Sequence, residues 1–94
     1  MRLDRFLWWV RVVRRRAVAQ AKATGGRLRL NGRAVDKSAA PVRAGDILTF
    51  ATHGGGVRVI RVTTLPARRG PAPEAQGCYE ELAIANVSQQ DAAD

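Results

Sequence analysis

The first apolar pattern along the chain is helical. Apolar residues recur at i, i+3, i+4 and i+7, as Leu3, Phe6, Leu7 and Val10, which is the spacing of one helical stripe. The opposite side of this helix carries charged residues and one indole: Asp4, Arg5, Trp8 and Arg11. Trp9 lies at the edge of the apolar stripe, so we expect it to belong to the core.

A second helix is predicted from about Arg15 to Thr24. It ends at Gly25-Gly26, and glycine is the usual residue just past a helix end. We expect its buried strip to consist of Ala17, Val18 and Ala21, because small side chains permit a close approach to the first helix.

Beyond Gly26 the hydrophobic period changes from 3.6 to 2, which is typical of strands. Arg27 to Leu30 alternates basic and apolar residues, so we expect its leucines inward and its arginines outward. Asn31-Gly32 is the favoured pair for a two-residue type I′ turn, and Arg33 to Val35 is the predicted returning strand.

Two more strands are predicted after this hairpin. Ile47 to Ala51 follows a turn, and Val57 to Val62 alternates again after the glycines at 54–56. We expect Arg58 and Arg61 to lie on one face of the latter strand. His53, beside the glycines, has no other ligand-type residue at metal spacing, so we interpret it as an exposed loop residue.

The composition changes at Pro66. Residues 68–73 form a stiff, basic, proline-rich connection that suits a linker better than a helix interior. From Glu74 to Ala85 we predict one short helix packed on the body, and we predict disorder for residues 86–94.

Together the elements predict a small α+β fold: two N-terminal helices packed on a small, mostly antiparallel sheet, with a short C-terminal helix or extension. We place the domain at residues 1–65 and the extension at 66–94, the latter basic and proline-rich at its start and acidic at its end. Ninety-four residues provide one core and not two. We expect neither a membrane span nor a secretory signal, and a lone cysteine, Cys78, fits a reducing cytoplasm.

The net charge of +8 is unevenly distributed. Residues 1–73 hold all sixteen Lys and Arg against three Asp, a net charge of +13, and residues 74–94 hold five acidic residues and no base, a net charge of −5. A basic body is the electrostatic footprint of a polyanionic partner, and nucleic acid is the first candidate. The acidic end suggests a further hypothesis, that it folds over the basic face and damps non-specific binding.

Three consecutive arginines, Arg14-Arg15-Arg16, mark the predicted start of the second helix. Cations there are disfavoured by the helix dipole and repel one another. An anionic ligand would explain why three arginines occupy this position despite both unfavourable effects. Free N–H groups at a helix start bind phosphate, and so do arginine guanidinium groups. For Trp8 two interpretations stay open: another part of the domain covers it, or it stacks on an unpaired base.

Catalytic and cofactor chemistry are not indicated. One His and one Cys cannot supply a nucleophile, a base and an orienting group, and the glycines at 54–56 lack the Lys-Ser/Thr of a phosphate-binding loop. We therefore expect no enzyme activity, no metal, no cofactor and no small-molecule substrate.

Short motifs follow one another along residues 1–51: Arg2-Leu3-Asp4-Arg5 at a helix start, the basic turn into the second helix, Gly25-Gly26, Arg29 to Val35, and Ala44-Gly45-Asp46. Their order and spacing resemble the S4-type RNA-binding domain. The resemblance implies a helix–helix–hairpin arrangement called the αL motif, and structured RNA as the ligand. It further implies RNA contacts by Arg14 and Arg16 at the second helix and by Arg29 and Asn31 at the hairpin.

A second resemblance covers about residues 1–82. Residues 2–11, the segment 68–75 and Tyr79-Glu80-Glu81 are similar to a family of ribosome-associated heat-shock proteins that carry this domain. It implies the large ribosomal subunit as partner, in the form of free subunits stalled with a nascent chain. The chain departs from that family at Phe6, where Trp is usual, at Arg15, where Thr or Ser is usual, and in its acidic end.

We predict a non-enzymatic, monomeric, cytoplasmic protein that binds ribosomal RNA. We expect no membrane among its partners. Its predicted RNA-binding residues are Arg5, Arg11, Arg14, Arg15, Arg16, Lys22, Arg27, Arg29, Asn31, Arg33 and Lys37, with Trp8 as candidate stacking residue. The alternatives are the RNA-binding module of an RNA-modification system, for which 94 residues leave no space for a catalytic domain, and a DNA-binding regulator.

Overall fold

A computed structural model describes residues 1–25, 27–52 and 55–86 of the chain. The α+β expectation is confirmed. The elements, in chain order, are helices α1 (Leu3–Trp9) and α2 (Arg16–Thr24), strands β1 (Leu28–Leu30), β2 (Arg33–Val35), β3 (Ile47–Ala51) and β4 (Gly56–Val62), helix α3 (Ala72–Gln76) and strand β5 (Tyr79–Asn86).

The strands form one sheet in the order β2-β1-β3-β4-β5, and every neighbouring pair is antiparallel. The predicted hairpin is confirmed: Leu28 pairs with Val35 and Leu30 with Arg33. Asn31 and Gly32 both have positive φ, at 53° and 86°, as a type I′ turn requires. Among the described helices, none is long and apolar enough to span a membrane.

The apolar stripe of α1 lies in the core, as predicted. Leu3, Phe6, Leu7 and Val10 are fully buried together with the inward residues of the sheet. Trp9 corrects the prediction, because Trp8 packs against the core and Trp9 does not join it. α1 ends at Trp9, and Arg69 lies over the Trp8 ring.

The predicted buried strip of α2 is wrong. Ala19 and Ala23 are the buried residues, and Ala17, Val18 and Ala21 are exposed, Val18 at 42%. All five side chains are small and apolar, so the pattern alone gave little basis for choosing the buried side. The i and i+4 pair is buried, and the other three residues face a groove.

Arg58 and Arg61 lie on opposite faces of β4, so the prediction of a shared face is also wrong. The β3–β4 register runs without interruption, with Phe50 opposite Arg58 and Ile47 opposite Arg61. Residues three apart in a regular strand point to opposite sides. Arg58 therefore lies on the helix-covered side with buried Ile60, and Arg61 is exposed on the other side.

The predicted helix from Glu74 to Ala85 is wrong beyond Gln76. Residues 79–86 form β5, which pairs with β4 along its whole length. The register shifts between Val59 and Ile60, because Leu82 is an extra residue in β5 and is 38% exposed. This bulge breaks the two-residue period by which a strand is recognised.

Some predictions fall outside the described residues: His53, and the disorder expected for residues 87–94, whereas Asn86 belongs to β5. The division into a domain at residues 1–65 and an extension at 66–94 stays a prediction. In the sheet itself, β5 of the extension is joined directly to β4 of the domain.

Candidate nucleic-acid interface

A buried carboxylate organises the start of α1. Asp4 is only 5% exposed. Its Oδ1 accepts hydrogen bonds from the Arg5 backbone N–H at 2.8 Å and from Arg2 Nε at 3.1 Å, and its Oδ2 accepts one from Arg2 Nη2 at 3.1 Å. This bidentate pair fixes the Arg2 guanidinium beside α1.

The turn between α1 and α2 is held by the later chain. Arg11 has a positive φ of 62°, and its Nε donates to the carbonyl of Gly70 at 2.7 Å. Arg69 Nε donates to the carbonyl of Trp8 at 3.2 Å. Val13 is buried further along this turn, and the three arginines that follow it are exposed. The turn therefore projects the arginine triplet, and Arg11, predicted to bind RNA, holds the turn.

A groove of about 1200 Å³ lies between α2 and the nearby end of the sheet, and we call it the α2 groove. Its apolar lining includes Val18 of α2 and Phe50 of β3. Its basic lining residues are Arg14, Arg15, Lys22, Arg27 and Arg58.

The basic residues of the α2 groove fall into two classes. Lys22 Nζ donates to the carbonyl of Ala51 at 2.8 Å. Arg58 is ion-paired with Glu81, and the hydrogen bond with this carboxylate raises the pKa of Arg58 above its ordinary value. Both cations also lie over the Phe50 ring, at 6.0 and 5.6 Å from its centroid. These two charges are held in place by the protein.

The other three cations of the groove are available. Arg14, Arg15 and Arg27 are exposed. Along residues 1–25, 27–52 and 55–86 their side chains make no hydrogen bond and no ion pair. Exposed guanidinium groups without an acidic partner are suited to phosphate, which they can bind bidentately.

The third arginine of the triplet faces a different concavity. Arg16, the first residue of α2, lines a pocket of about 360 Å³ beside α1, and we call it the tryptophan pocket. The remaining lining residues are Arg2, Asp4, Arg5, Trp8 and Trp9. The triplet is thus divided, with Arg14 and Arg15 in the α2 groove and Arg16 in the tryptophan pocket.

The two indoles differ in how the protein covers them. Trp8 packs against the core, and the guanidinium carbons of Arg69 and Arg16 lie 5.0 and 6.0 Å from its ring centroid. Trp9 is half-buried outside the core, with Arg5 at 5.6 Å. The structure thus favours the interpretation that another part of the domain covers Trp8.

The predicted RNA-binding residues from Arg29 to Lys37, in the hairpin and just after it, lie outside both concavities. Arg29, Arg33 and Lys37 are exposed, and Arg29 Nη1 donates to the carbonyl of Gly32 at 3.1 Å. The Asn31 amide is used within the protein: Nδ2 donates to Asp46 Oδ1 at 3.0 Å, and Oδ1 accepts from the Ile47 N–H at 2.9 Å. Its side chain therefore secures the turn.

Among the basic side chains and indoles that line the two concavities, sequence reasoning missed three: Arg2, Trp9 and Arg58. The i and i+4 spacing of Arg5 and Trp9 was a usable signal for Trp9. Strict alternation along β4 would have placed Arg58 on the covered side with Ile60. No comparable signal in the sequence pairs exposed Arg2 with buried Asp4.

The described residues hold no obvious reactive centre. Among them no group of three or more His, Cys, Asp or Glu could hold a metal ion. Cys78 is buried, and burial raises the pKa of its thiol, which lowers the thiolate fraction that a nucleophile or a metal ligand needs.

The family of the chain follows from comparison with known proteins. The S4 domain model matches residues 1–48, about half of the chain. The chain therefore belongs to the S4 domain family.

Its relatives include heat shock protein 15 of Escherichia coli K12, 35% identical over 83 residues, which cover 88% of this chain and 61% of the relative. The heat shock protein 15 homolog of Aeromonas salmonicida is 35% identical over 81 residues, covering 86% and 60%. The chain thus spans about three fifths of the length of these curated relatives. A solved trimeric structure of Vibrio cholerae heat shock protein 15 superposes with a TM-score of 0.79 at 31% identity, covering 88% of this chain and 82% of that one.

Proposed function

We propose that this protein binds structured ribosomal RNA through the α2 groove and the tryptophan pocket, and that it catalyses no reaction. The observation that carries the proposal is a trio of exposed cations along one groove, Arg14, Arg15 and Arg27, which have no acidic partner among the described residues. An RNA duplex hides its bases in a deep, narrow groove, so recognition of its shape and backbone phosphates is expected.

The proposal assigns different work to the two classes of groove cation. Arg14, Arg15 and Arg27 bind phosphate oxygens, because their guanidinium groups are free to turn toward a ligand. Lys22 and Arg58 hold fixed positions and add positive potential at the wall. Binding then weakens steeply with salt, since each neutralised phosphate releases counterions.

The test is the double variant Arg14→Ala/Arg15→Ala in a filter-binding titration with a ribosomal RNA hairpin. We expect affinity at low salt to fall at least about tenfold. The slope of log affinity against log salt should become shallower by about 2, because each missing arginine leaves about one phosphate without a neutralising cation.

The matched control is Arg43→Ala/Arg61→Ala, which removes the same charge from exposed arginines outside both concavities. It should change affinity and slope much less. Equal losses in the two double variants would show that net charge alone determines binding and would contradict the proposed interface. Preferential binding of duplex DNA at equal salt would instead support a DNA-binding regulator.

We further propose that the large ribosomal subunit is the partner and that the protein acts in the cytoplasm as a monomer. The likeness to heat shock protein 15 supports the ribosomal proposal. Co-sedimentation with purified subunits should recover the protein with the large one and not the small one. Light scattering should give one chain per particle, and a trimer, as named for the Vibrio cholerae relative, would overturn the monomer.

A further inference from the structure

The tryptophan pocket contains more than the basic groups that a phosphate backbone needs. Two indoles and three guanidinium groups meet in about 360 Å³, a volume within the range of small-ligand sites. Among the described residues, Asp4 is the only acidic side chain in the lining, and it already accepts hydrogen bonds from Arg2 and from the Arg5 backbone. The pocket is therefore both cationic and aromatic.

Trp9 is the indole that is partly exposed and does not pack on the core. It stays outside the core, and among the described residues Arg5 is the only cation stacked near its ring. Trp8, by contrast, packs on the core beneath two guanidinium groups. A base–aromatic stack needs an indole face that the protein does not fill.

The arginines of the pocket are placed for the rest of a nucleotide. Arg5 and Trp9 lie one turn apart on α1, and Arg16 enters from α2. Both arginines are exposed, and neither forms an ion pair among residues 1–25, 27–52 and 55–86. If a base stacked on the Trp9 indole, the phosphates on either side of that nucleotide would lie near the guanidinium groups of Arg5 and Arg16.

We propose that the tryptophan pocket binds one unpaired nucleotide of the RNA, whose base stacks on Trp9 and whose phosphates bind Arg5 and Arg16. The proposal rests on the proposed RNA-binding function and adds to it a preference for a duplex that carries a single-stranded nucleotide. Arg14 and Arg15, on the other side of the triplet, bind the adjoining duplex in the α2 groove.

The test compares two RNAs, a blunt hairpin and the same hairpin with a three-nucleotide overhang. The wild-type protein should bind the overhang RNA about fivefold to a hundredfold more tightly, the range expected for one base–aromatic stack. Trp9→Leu should reduce the ratio of the affinity for the overhang RNA to the affinity for the blunt hairpin to near one, because it weakens binding of the overhang RNA in particular. Trp9→Phe keeps an aromatic face and should retain most of the ratio.

Leu65→Ala, which trims an exposed apolar side chain outside the pocket, is the control and should keep the wild-type ratio. Thermal melting followed by circular dichroism checks that each variant is folded. A wild-type ratio in Trp9→Leu would overturn the proposal while leaving the RNA-binding function intact. Failure of the wild-type protein to bind the blunt hairpin would refute the function itself.

Adenosine monophosphate distinguishes an RNA nucleotide from a free one. It lacks the adjoining duplex, so we expect it not to abolish the overhang preference at micromolar concentrations. Competition in that range would identify a free-nucleotide site and would overturn the proposal.

Discussion

At the scale of single residues, Asp4 shows a feature that the charge pattern does not reveal. The sequence placed it on the polar side of α1, where a carboxylate near the helix start favours the dipole. The structure buries it, with both oxygens bonded to Arg2 and the Arg5 backbone. A pattern of charges predicts which residues are polar, but it does not reveal which of them are bonded to one another.

Replacing Asp4 should be costly for stability. Asp4→Ala removes the carboxylate that accepts hydrogen bonds from the Arg5 N–H and from the half-exposed Arg2 guanidinium, so we expect the free energy of unfolding to fall by about 1–3 kcal/mol. Asp4→Asn keeps one acceptor oxygen and should cost less. Urea denaturation of both variants measures the difference, and equal stability of the wild type and Asp4→Ala would contradict this account.

The hairpin is the element that the sequence predicted best, because Asn-Gly fixes both the turn type and the register. The α2 strip and β5 were predicted least well. The alanines of α2 offer no contrast in hydrophobicity between its sides, and Leu82 interrupts the alternation of β5. Tertiary packing decides such elements, and a local pattern cannot supply it.

Asn31 gives a prediction at the scale of this element. Asn31→Ala removes the bonds to Asp46 and Ile47 and places alanine at a positive φ, so the free energy of unfolding should fall by about 1–3 kcal/mol. Asn31→Gly relieves the backbone strain and should be less destabilising. Since the amide is used internally, RNA affinity of the folded Asn31→Ala protein should stay at the wild-type value, and a tenfold weaker affinity would return Asn31 to the interface.

At the scale of the whole molecule, the ion pairs among the described residues, two of which involve neighbouring glutamates of β5, determine which arginines remain unpaired there. Glu81 forms an ion pair with Arg58 on one face of the sheet. Glu80 forms an ion pair with Arg61 on the other face. Within the described chain, the four ion pairs involve Arg2, Arg58, Arg61 and Arg68. Arg14, Arg15 and Arg16 are left without an acidic partner there, so the arginine triplet keeps its charge.

The sequence shows the arginine triplet as a basic cluster but does not show how the fold divides it. Consecutive arginines suggested a single patch, and the fold distributes them between the α2 groove and the tryptophan pocket. That division depends on where α2 begins and how it packs on α1. Neither is encoded in the charges themselves.

The acidic end of the chain supports a prediction about the whole molecule. If Asp91 and Asp94 compete with RNA for the basic face, Asp91→Asn/Asp94→Asn should tighten non-specific RNA binding severalfold at low salt. The effect should disappear at about 1 M salt, where the screening length is about 3 Å. Titrations with a non-ribosomal RNA at both salt concentrations measure it, and identical affinities at low salt would refute the hypothesis.

The contacts of Arg11 with Gly70 and of Arg69 with Trp8 also impose a delay during synthesis of the chain. They join residues about 60 positions apart, so the turn that projects the triplet is completed only after residue 70 has been synthesised. At about 5–20 residues per second, that wait lasts about 3–12 seconds. In a nascent chain of this protein, the arginine triplet is therefore synthesised several seconds before the turn that positions it can be completed.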